Sequence, residues 1–410
     1  MSRAEAQAAW AASGAVALTG RPGGPPLVPP GRGALLARQL AEIFADRAGA
    51  RLPLDGSRLL SERAAFTGHR RRGTVSAGGA CRLLPTADGW AAVSCARPDD
   101  PALLGALTGT GAAIGDPWPD VTAWLREHTG AELAERAELL GVAAGPVRPP
   151  AVPRPLPEPL PPRPVAGLLV ADFSALWAGP LCAHLLGLAG ARVVKVETPG
   201  RPDGARRGDP GFYRLLHAGH RSVVLDPAAP GGRRAMAALV DAADIVVEAS
   251  RPRALARFGL DAEAAAAAGG TTWISITAYG RDDGRIGFGD DVAAASGLVR
   301  REPDGTPLFC GDAVADPLTG LVAAVLAASA PIAGGAVWDV AMADVVAATL
   351  DQEDGTPPPA AVPCGDGWAV ETEDGTVPVA EPVRREAAGT APEPGRDTAD
   401  VLGELGIPVP

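Results

Sequence analysis

The sequence has 410 residues, 47% hydrophobic and 21% charged, with a formal net charge of −11; this is room for two or three domains with sizeable cores, and the lack of any basic stripe excludes nucleic acid as the main partner. The five cysteines (Cys81, Cys95, Cys182, Cys310 and Cys364) are scattered, with no C-x-x-C pair, so neither a zinc site nor a disulfide framework is expected. No apolar run is long enough to span a bilayer, and the Ala-rich start carries Glu5 in place of an apolar signal core, so the expectation is no membrane partner and a cytoplasmic location.

Along the chain, Ala12-Ser13-Gly14 and its following turn are echoed by Ala295-Ser296-Gly297. Ala87-Asp88-Gly89-Trp90 is echoed by Gly365-Asp366-Gly367-Trp368. The pairs keep their order and a similar spacing, the mark of a duplicated ancestor. Residues 1–73 are then the remnant of a first copy. His69 is followed there by Arg70, Arg71 and Arg72, which read as a solvated loop. Residues 74–148 are expected to form a small α+β domain. It has a strand pair around Asp88-Gly89, then helices Pro119–His128 and Ala131–Leu140, with the break at Thr129 or Gly130. Residues 149–166 are so rich in proline that they form a stiff, extended linker.

Residues 167–350 alternate apolar β-rich runs with helical patterns. Strands are predicted at Leu168–Phe173, Arg192–Glu197, Ser222–Leu225, Asp244–Glu248 and Trp273–Thr277. Helices are predicted at Pro180–Leu188, Gly231–Ala242, Ala262–Ala268 and Leu318–Ala328. Continuous apolar strands separated by helices imply an α/β large domain with a parallel, Rossmann-like sheet covered on both faces. A second Pro/Gly/acid-rich zone, about Asp351 to Pro363, sets off residues 351–410 as a partial small-domain stub and C-terminal tail.

A doubly wound sheet invites a dinucleotide, and Glu197 ends the second strand where a ribose-binding acid sits. The first turn, Ser174 to Pro180, has no G-x-G-x-x-G and carries Trp177 where a phosphate loop must be open, which argues against NAD or FAD. Lys195 is the only lysine in the sequence. In a chain that otherwise uses arginine, it suggests a position suited to a compact ammonium and not to a planar guanidinium.

Several ordered motifs carry a resemblance. They are Asp172-Phe173-Ser174 with Ala178-Gly179-Pro180, Ala189-Gly190-Ala191 running into Lys195-Val196-Glu197, and His220-Arg221-Ser222 with Leu225-Asp226. Next come Asp244 to Glu248 with Arg251-Pro252, Ala254, Arg257 and Gly259, then Ser275 to Gly280, Asp291 to Gly297, and Val314-Ala315-Asp316-Pro317 with Gly320. Together they resemble the family III CoA-transferases (the CaiB/BaiF family). Residues 74–148 resemble that family's small domain, and Gly395 to Gly406 its C-terminus. The order is permuted or truncated, because the small-domain-like segment comes first.

The resemblance implies an enzyme that moves CoA from an acyl-CoA donor to a carboxylic acid through an aspartyl covalent intermediate. CoA enters as a thioester substrate, with no permanently bound cofactor and no metal. Asp316 matches the nucleophile, and a carboxylate suits the task because it both attacks a thioester and leaves again. Read from the dipeptide alone, Asp316-Pro317 is an ordinary N-cap and N1 pair, and it is the surrounding resemblance that favours the nucleophile. Leu176, Trp177, Ala249 and Arg257 match CoA-contact positions. Trp177 either stacks on adenine or plugs the core. Lys195 either reaches CoA or pairs with an acid across the strand. The expected assembly is a homodimer, or a pair with a paralogous CoA-transferase chain. Two other readings stand beside this one. The first is a non-catalytic CoA-binding or partner subunit, favoured by the incomplete copy and by Gly78-Gly79 as the nearest substitute for a glycine-rich loop. The second is an α-methylacyl-CoA racemase-like enzyme. It is disfavoured because Phe288-Gly289-Asp290-Asp291 contains no histidine to pair with an acid.

Overall fold

The computed structural model describes residues 2–111, 115–149, 155–250, 255–350 and 358–410. Part of the proline-rich linker (150–154), Arg251, Pro252 and Ala254, and residues 351–357 of the second Pro/Gly/acid-rich zone lie outside the described residues.

Six strands build the central sheet: β4 (Leu169–Asp172), β5 (Arg192–Glu197), β6 (Arg221–Val224), β7 (Ile245–Glu248), β8 (Thr272–Thr277) and β11 (Ala336–Ala341). All pair in parallel, in the spatial order β11-β8-β7-β4-β5-β6. Chain order therefore reverses at β4, which has β5 on one side and β7 on the other. The strands are apolar on both faces because both are covered. Val170, Val193, Val247, Ile274 and Ile276 point into one core. Leu169, Ala171, Val194, Val196, Val246 and Trp273 alternate into the other, as period-two side chains must.

Helices α7 (Ala178–Leu188) and α12 (Ala315–Ala327) cover the first face. They cross closely where Gly320 faces α7, since a Cβ on Gly320 would come within 2.7 Å of the Ala178 carbonyl oxygen. The N-terminal segment completes this layer. Trp10 of α1 (Arg3–Ala12) and Leu35, Leu40 and Phe44 of α2 (Gly33–Ala48) share one core with Leu181 and Leu318. The short α3 (Glu62–Thr67) follows in the same segment. Helices α9 (Pro230–Ala242), α10 (Ala262–Gly269) and the C-terminal α14 (Thr398–Glu404) cover the second face.

Residues 81–146 hold an antiparallel sheet, β1 (Cys81–Pro85), β2 (Trp90–Ser94) and β3 (Ala144–Pro146), with α4 (Asp100–Thr108), α5 (Trp118–Glu127) and α6 (Gly130–Leu140) around their own core. Thr129 is the break between α5 and α6. Its hydroxyl accepts from the Glu132 amide while Glu132 reaches back, a capping box.

The expected α/β class holds, with the parallel sheet and the smaller α+β unit in place. Echoed motifs also share conformation. Gly14 and Gly297 both have positive φ, +82° and +97°. Trp90 and Trp368 each sit at the start of an antiparallel strand, β2 and β13 (Gly367–Thr372). The free edge of β6 is closed by the C-terminal tail. The Ser222 amide donates to Asp397 Oδ2 at 2.8 Å and the Val224 amide to Thr398 Oγ1 at 3.1 Å, which removes an edge open to pairing with another chain.

Candidate active site

The loop leaving β4 is anchored from beneath by Lys195. Its ammonium lies 3.0 Å from Asp203 Oδ2 and 3.3 Å from Asp172 Oδ2, and donates to the Ser174 carbonyl. Burial weighs against the ammonium, but the two carboxylates more than offset it and hold its proton more firmly than usual. Asp203 also accepts from the Leu176 and Ala205 amides, both at 2.9 Å. That bond holds Leu176 at a φ of 71°, in the left-handed region that side chains rarely adopt. Leu176 is left exposed at the end of the loop.

A cleft of about 170 Å³ opens at the carboxyl ends of β4 and β7. Its lining includes Leu176, Ala178, Ala249, Ser250, Ile276, Phe288, Asp316 and Met342, with the Asp283 and Arg285 ion pair alongside. This is the crevice at the reversal of strand order, where open α/β sheets bind their ligands.

Asp316 reaches the cleft from the first turn of α12. The helix starts at Ala315, and its cap position is Val314, with no side-chain cap bond. The N-cap reading of Asp316-Pro317 is therefore wrong, and the helix begins three residues before the predicted Leu318. The carboxylate rests against Gly289 of α11 (Gly289–Ala295); a Cβ there would lie 2.0 Å from Asp316 Oδ2. Glycine is required at this position for room. Ala313, three residues before Asp316, has a φ of 49°, and its amide donates to Asp290 Oδ1 at 2.9 Å. Leu176 and Ala313 are the two non-glycine residues of positive φ among the described residues; Leu176 lines the cleft and Ala313 lies against Gly289 beside Asp316, where backbone strain tends to be stored.

Behind Asp316 lies an acidic cluster with one arginine. Arg63 of α3 grips Asp312 with two bonds, Nε to Oδ2 at 2.9 Å and Nη2 to Oδ1 at 2.5 Å. His69 Nδ1 lies 3.3 Å from Asp312 Oδ2. Burial pushes the Asp316 carboxyl up to about 7, and Asp290 and Asp312 add to the push. Arg63 and a hydrogen bond from the Ala178 backbone oppose it. Burial, with Asp312 adding, likewise pushes Asp290 up to about 6 against the pull of Arg63. Burial also weighs on Asp312, but the Arg63 fork outweighs it and holds Asp312 well below the usual carboxylate range. The site thus keeps a carboxylate that is poorly solvated, open to a cleft and close to its ionisation point at neutral pH, the condition of a nucleophile or acid–base group.

Of the sequence-predicted residues, Leu176, Ala249 and Asp316 come together in the cleft. Trp177 does not: it is 2% exposed and meets Phe212 edge-on, with ring centroids 5.3 Å apart. It plugs the core, as one of its two readings held. Lys195 is 1% exposed and enclosed by its acids. It fixes the loop and is not in the cleft lining. Arg257 is exposed in the turn after β7 and also lies outside that lining. Glu197 is taken by Arg206, whose Nε lies 2.9 Å from its Oε1, and by the Asp203 amide at 2.7 Å, so it offers no free ribose contact. Arg71 is half-buried and donates to the Ala17 and Gly24 carbonyls at 3.1 and 2.7 Å; the Arg70–Arg72 run is partly a clamp and not simply a solvated loop. Sequence reasoning missed Arg63, His69, Asp312 and Gly289. Gly289 stands inside the quoted Phe288–Asp291 segment but received no role there, Asp312 only adjoins the motif that opens at Val314, and Arg63 and His69 come from the far end of the chain. Among the described residues no group of three His, Cys, Asp or Glu side chains is placed to hold a metal, and no helix is long and apolar enough to cross a membrane.

Comparison with known proteins gives a consistent result. The family model described as CoA-transferase family III matches residues 165–369. Succinate--glutarate CoA-transferase of Agrobacterium fabrum is 35% identical over 211 residues, which cover 46% of this chain and 53% of that protein. Succinyl-CoA--D-citramalate CoA-transferase of Chloroflexus aurantiacus is 32% identical over 178 residues, 40% of this chain and 44% of that protein. A solved CAIB/BAIF family protein from Brucella suis is 26% identical, with a TM-score of 0.43, covering 52% of this chain and 65% of the other. The chain spans about half the length of the curated relatives it matches.

Proposed function

Because the chain belongs to CoA-transferase family III, we propose that it transfers CoA from an acyl-CoA donor to a carboxylic acid, with Asp316 as the nucleophile. The observation that carries this reading is the meeting of Leu176, Ala249 and Asp316 in one cleft at the reversal of strand order.

In the proposed sequence, an Asp316 carboxylate oxygen attacks the thioester carbonyl carbon. The C–S bond breaks and CoA leaves as a thiolate, giving an acyl-aspartyl mixed anhydride. The thiolate then attacks the aspartyl carbonyl carbon. The donor acid departs as a carboxylate and an aspartyl-CoA thioester remains. The acceptor carboxylate attacks that thioester and releases the thiolate, which takes the acceptor acyl group and frees Asp316. Each step exchanges one good leaving group for another, so no activation by ATP is needed. The relatives named for succinate, glutarate and citramalate, and the small cleft, favour short acids. The proposed assembly is a homodimer or a pair with a paralogous chain.

The test is trapping. The protein is incubated with succinyl-CoA and other short acyl-CoAs, treated with hydroxylamine, and mapped by mass spectrometry. A donor-dependent hydroxamate at Asp316, absent in Asp316→Asn, supports the reading. Bound CoA with no adduct, in this chain alone and mixed with a paralogue, replaces it with that of a binding subunit.

A further inference from the structure

Arg63 does not line the cleft, yet it is the cation that faces the acidic cluster around Asp316. It lies outside the residues that match the family model. Its guanidinium is placed by two partners. Two hydrogen bonds tie it to Asp312, in the turn that leads into α12 ahead of Asp316. Its carbon sits 5.0 Å over the Trp177 ring, the residue next to Ala178, whose backbone favours the charged form of Asp316. Its side chain keeps about a quarter of its surface exposed, while Asp312 keeps none. A fork bound at both oxygens and stacked on an indole has little freedom, and a lysine cannot reproduce it.

The charges around Asp316 do not balance. Asp312 in the turn before α12 and Asp290 on α11 are negative neighbours, Arg63 on α3 is a positive one, and Arg285 in the cleft lining is paired with Asp283. His69, beyond Asp312, adds charge only when protonated. Three carboxyl groups around one guanidinium cannot all ionise without cost, because like charges in a poorly solvated site repel strongly.

We propose that Arg63, supplied by the N-terminal segment, is a positioning residue for Asp316: its charge, fixed by Asp312 and Trp177, keeps the Asp316 carboxylate ionised and ready to attack. This deepens the transferase reading and rests on it for the role of Asp316. It makes residues 62–69 part of the active site, although they precede the matched segment.

The test reads the protonation of Asp316 without any acyl-CoA, so it stands or falls separately from transfer. A water-soluble carbodiimide with glycine ethyl ester labels protonated carboxyl groups. Labelling of the Asp316 peptide is followed by mass spectrometry from pH 5 to 9 and normalised to the exposed Asp374 peptide. In Arg63→Gln the midpoint for Asp316 is expected to rise by on the order of one pH unit. In Arg63→Lys it is expected to stay nearer that of the wild type. In Asp312→Asn it is expected to move down, because a repelling charge is gone and Arg63 is released towards Asp316. A midpoint that stays put or falls in Arg63→Gln overturns the proposal. If that variant does not fold, Arg63→Gln combined with Asp312→Asn, which removes the buried pair together, is compared with Asp312→Asn alone: a higher midpoint in the double variant supports the proposal, and an equal or lower one overturns it. Where the trapping experiment also works, the acid limb of the transfer rate is expected to follow the same midpoints.

Discussion

Two buried charge clusters both touch the β4–α7 turn, Lys195 at the Ser174 carbonyl and Arg63 over the Trp177 ring, and they differ in balance. Around Lys195, one ammonium meets Asp172 and Asp203 at 3.3 and 3.0 Å, its third direction is filled by the Ser174 carbonyl, and none of these side chains reaches the surface. Around Arg63, one guanidinium faces Asp290, Asp312 and Asp316, and Asp316 opens into the cleft. The first cluster is closed, so its free energy goes into holding the loop. The second leaves one carboxyl group short of a partner and within reach of a ligand. Desolvation and unpaired charge mark a functional site only where solvent or substrate can enter; without access the same chemistry is scaffold.

The comparison breaks most visibly at Lys195. Lys195→Met keeps the length of the side chain and leaves two buried carboxylates facing each other. Removing one partner of a buried ion pair costs about 3–5 kcal/mol, so urea denaturation is expected to show a loss of that size. A loss below about 1 kcal/mol would mean that the cluster is not the loop's anchor.

Gly289→Ala sharpens the other side. Its Cβ would lie 2.0 Å from Asp316 Oδ2 and 2.8 Å from the Ala313 Cβ. The carboxylate must move, and displacing a reacting group by about 1 Å costs roughly 10²-fold in rate. Stability should fall by about 1–3 kcal/mol as an overpacking effect. Full transfer activity in this variant would show that the carboxylate works from another position.

These two sites were not equally legible. Strand β5 occupies the residues read from the sequence, because Val193, Val194 and Val196 form a β-branched cluster that follows the Gly190 break, even though Arg192, Lys195 and Glu197 interrupt it. Asp316 was visible through its ordered motif. Its helix start was misjudged because Asp-Pro is a common cap pair, and only the path of the chain shows that Val314 holds the cap position. Strand β11 was not foreseen. Ala336–Ala341 contains Trp338 and Asp339, half-buried and exposed at the sheet edge, so its pattern resembles neither a buried strand nor a clean alternation. Arg63 and His69 were illegible for a different reason. A salt bridge between residues 249 positions apart in sequence leaves no local period or spacing to read. The Lys195 pairing was legible as one of two alternatives, since its strand neighbours β4 in any parallel sheet of this order.

The two regions also respond to pH with opposite sign. Near Lys195, burial first and the ammonium second lower His220 to about 3, and His217 is likewise held well below its ordinary value. In the unfolded chain these histidines bind protons near 6.5, so the unfolded state gains protons first and stability falls as pH drops below 6.5. The slope is up to about 1.4 kcal/mol per pH unit for each histidine. His220→Asn is expected to flatten this acid limb in thermal melts from pH 7 to 5, whatever it does to stability at pH 7. An unchanged slope would mean that His220 is already charged in the fold.

The smallest expected effect runs the other way and belongs to Asp316. Its carboxyl is raised in the fold to about 7, above the 3.8 of a free side chain. Between those values the folded protein binds the proton that the unfolded chain has lost, so this group takes stability away as pH rises from 4 to 7. Above pH 7 the full cost remains, reduced by the solvent that the cleft admits. Asp316→Asn removes the charge and keeps the shape. It is therefore expected to abolish transfer while raising stability at pH 8 by on the order of 1 kcal/mol, and to have little effect at about pH 3, below both ionisation points, where both states mostly carry the proton. A variant that loses stability at pH 8 would place Asp316 with the closed cluster, as a group the fold needs. A gain confined to high pH would identify the carboxylate as a charge held against the interest of the fold, which is what a nucleophile placed for attack requires.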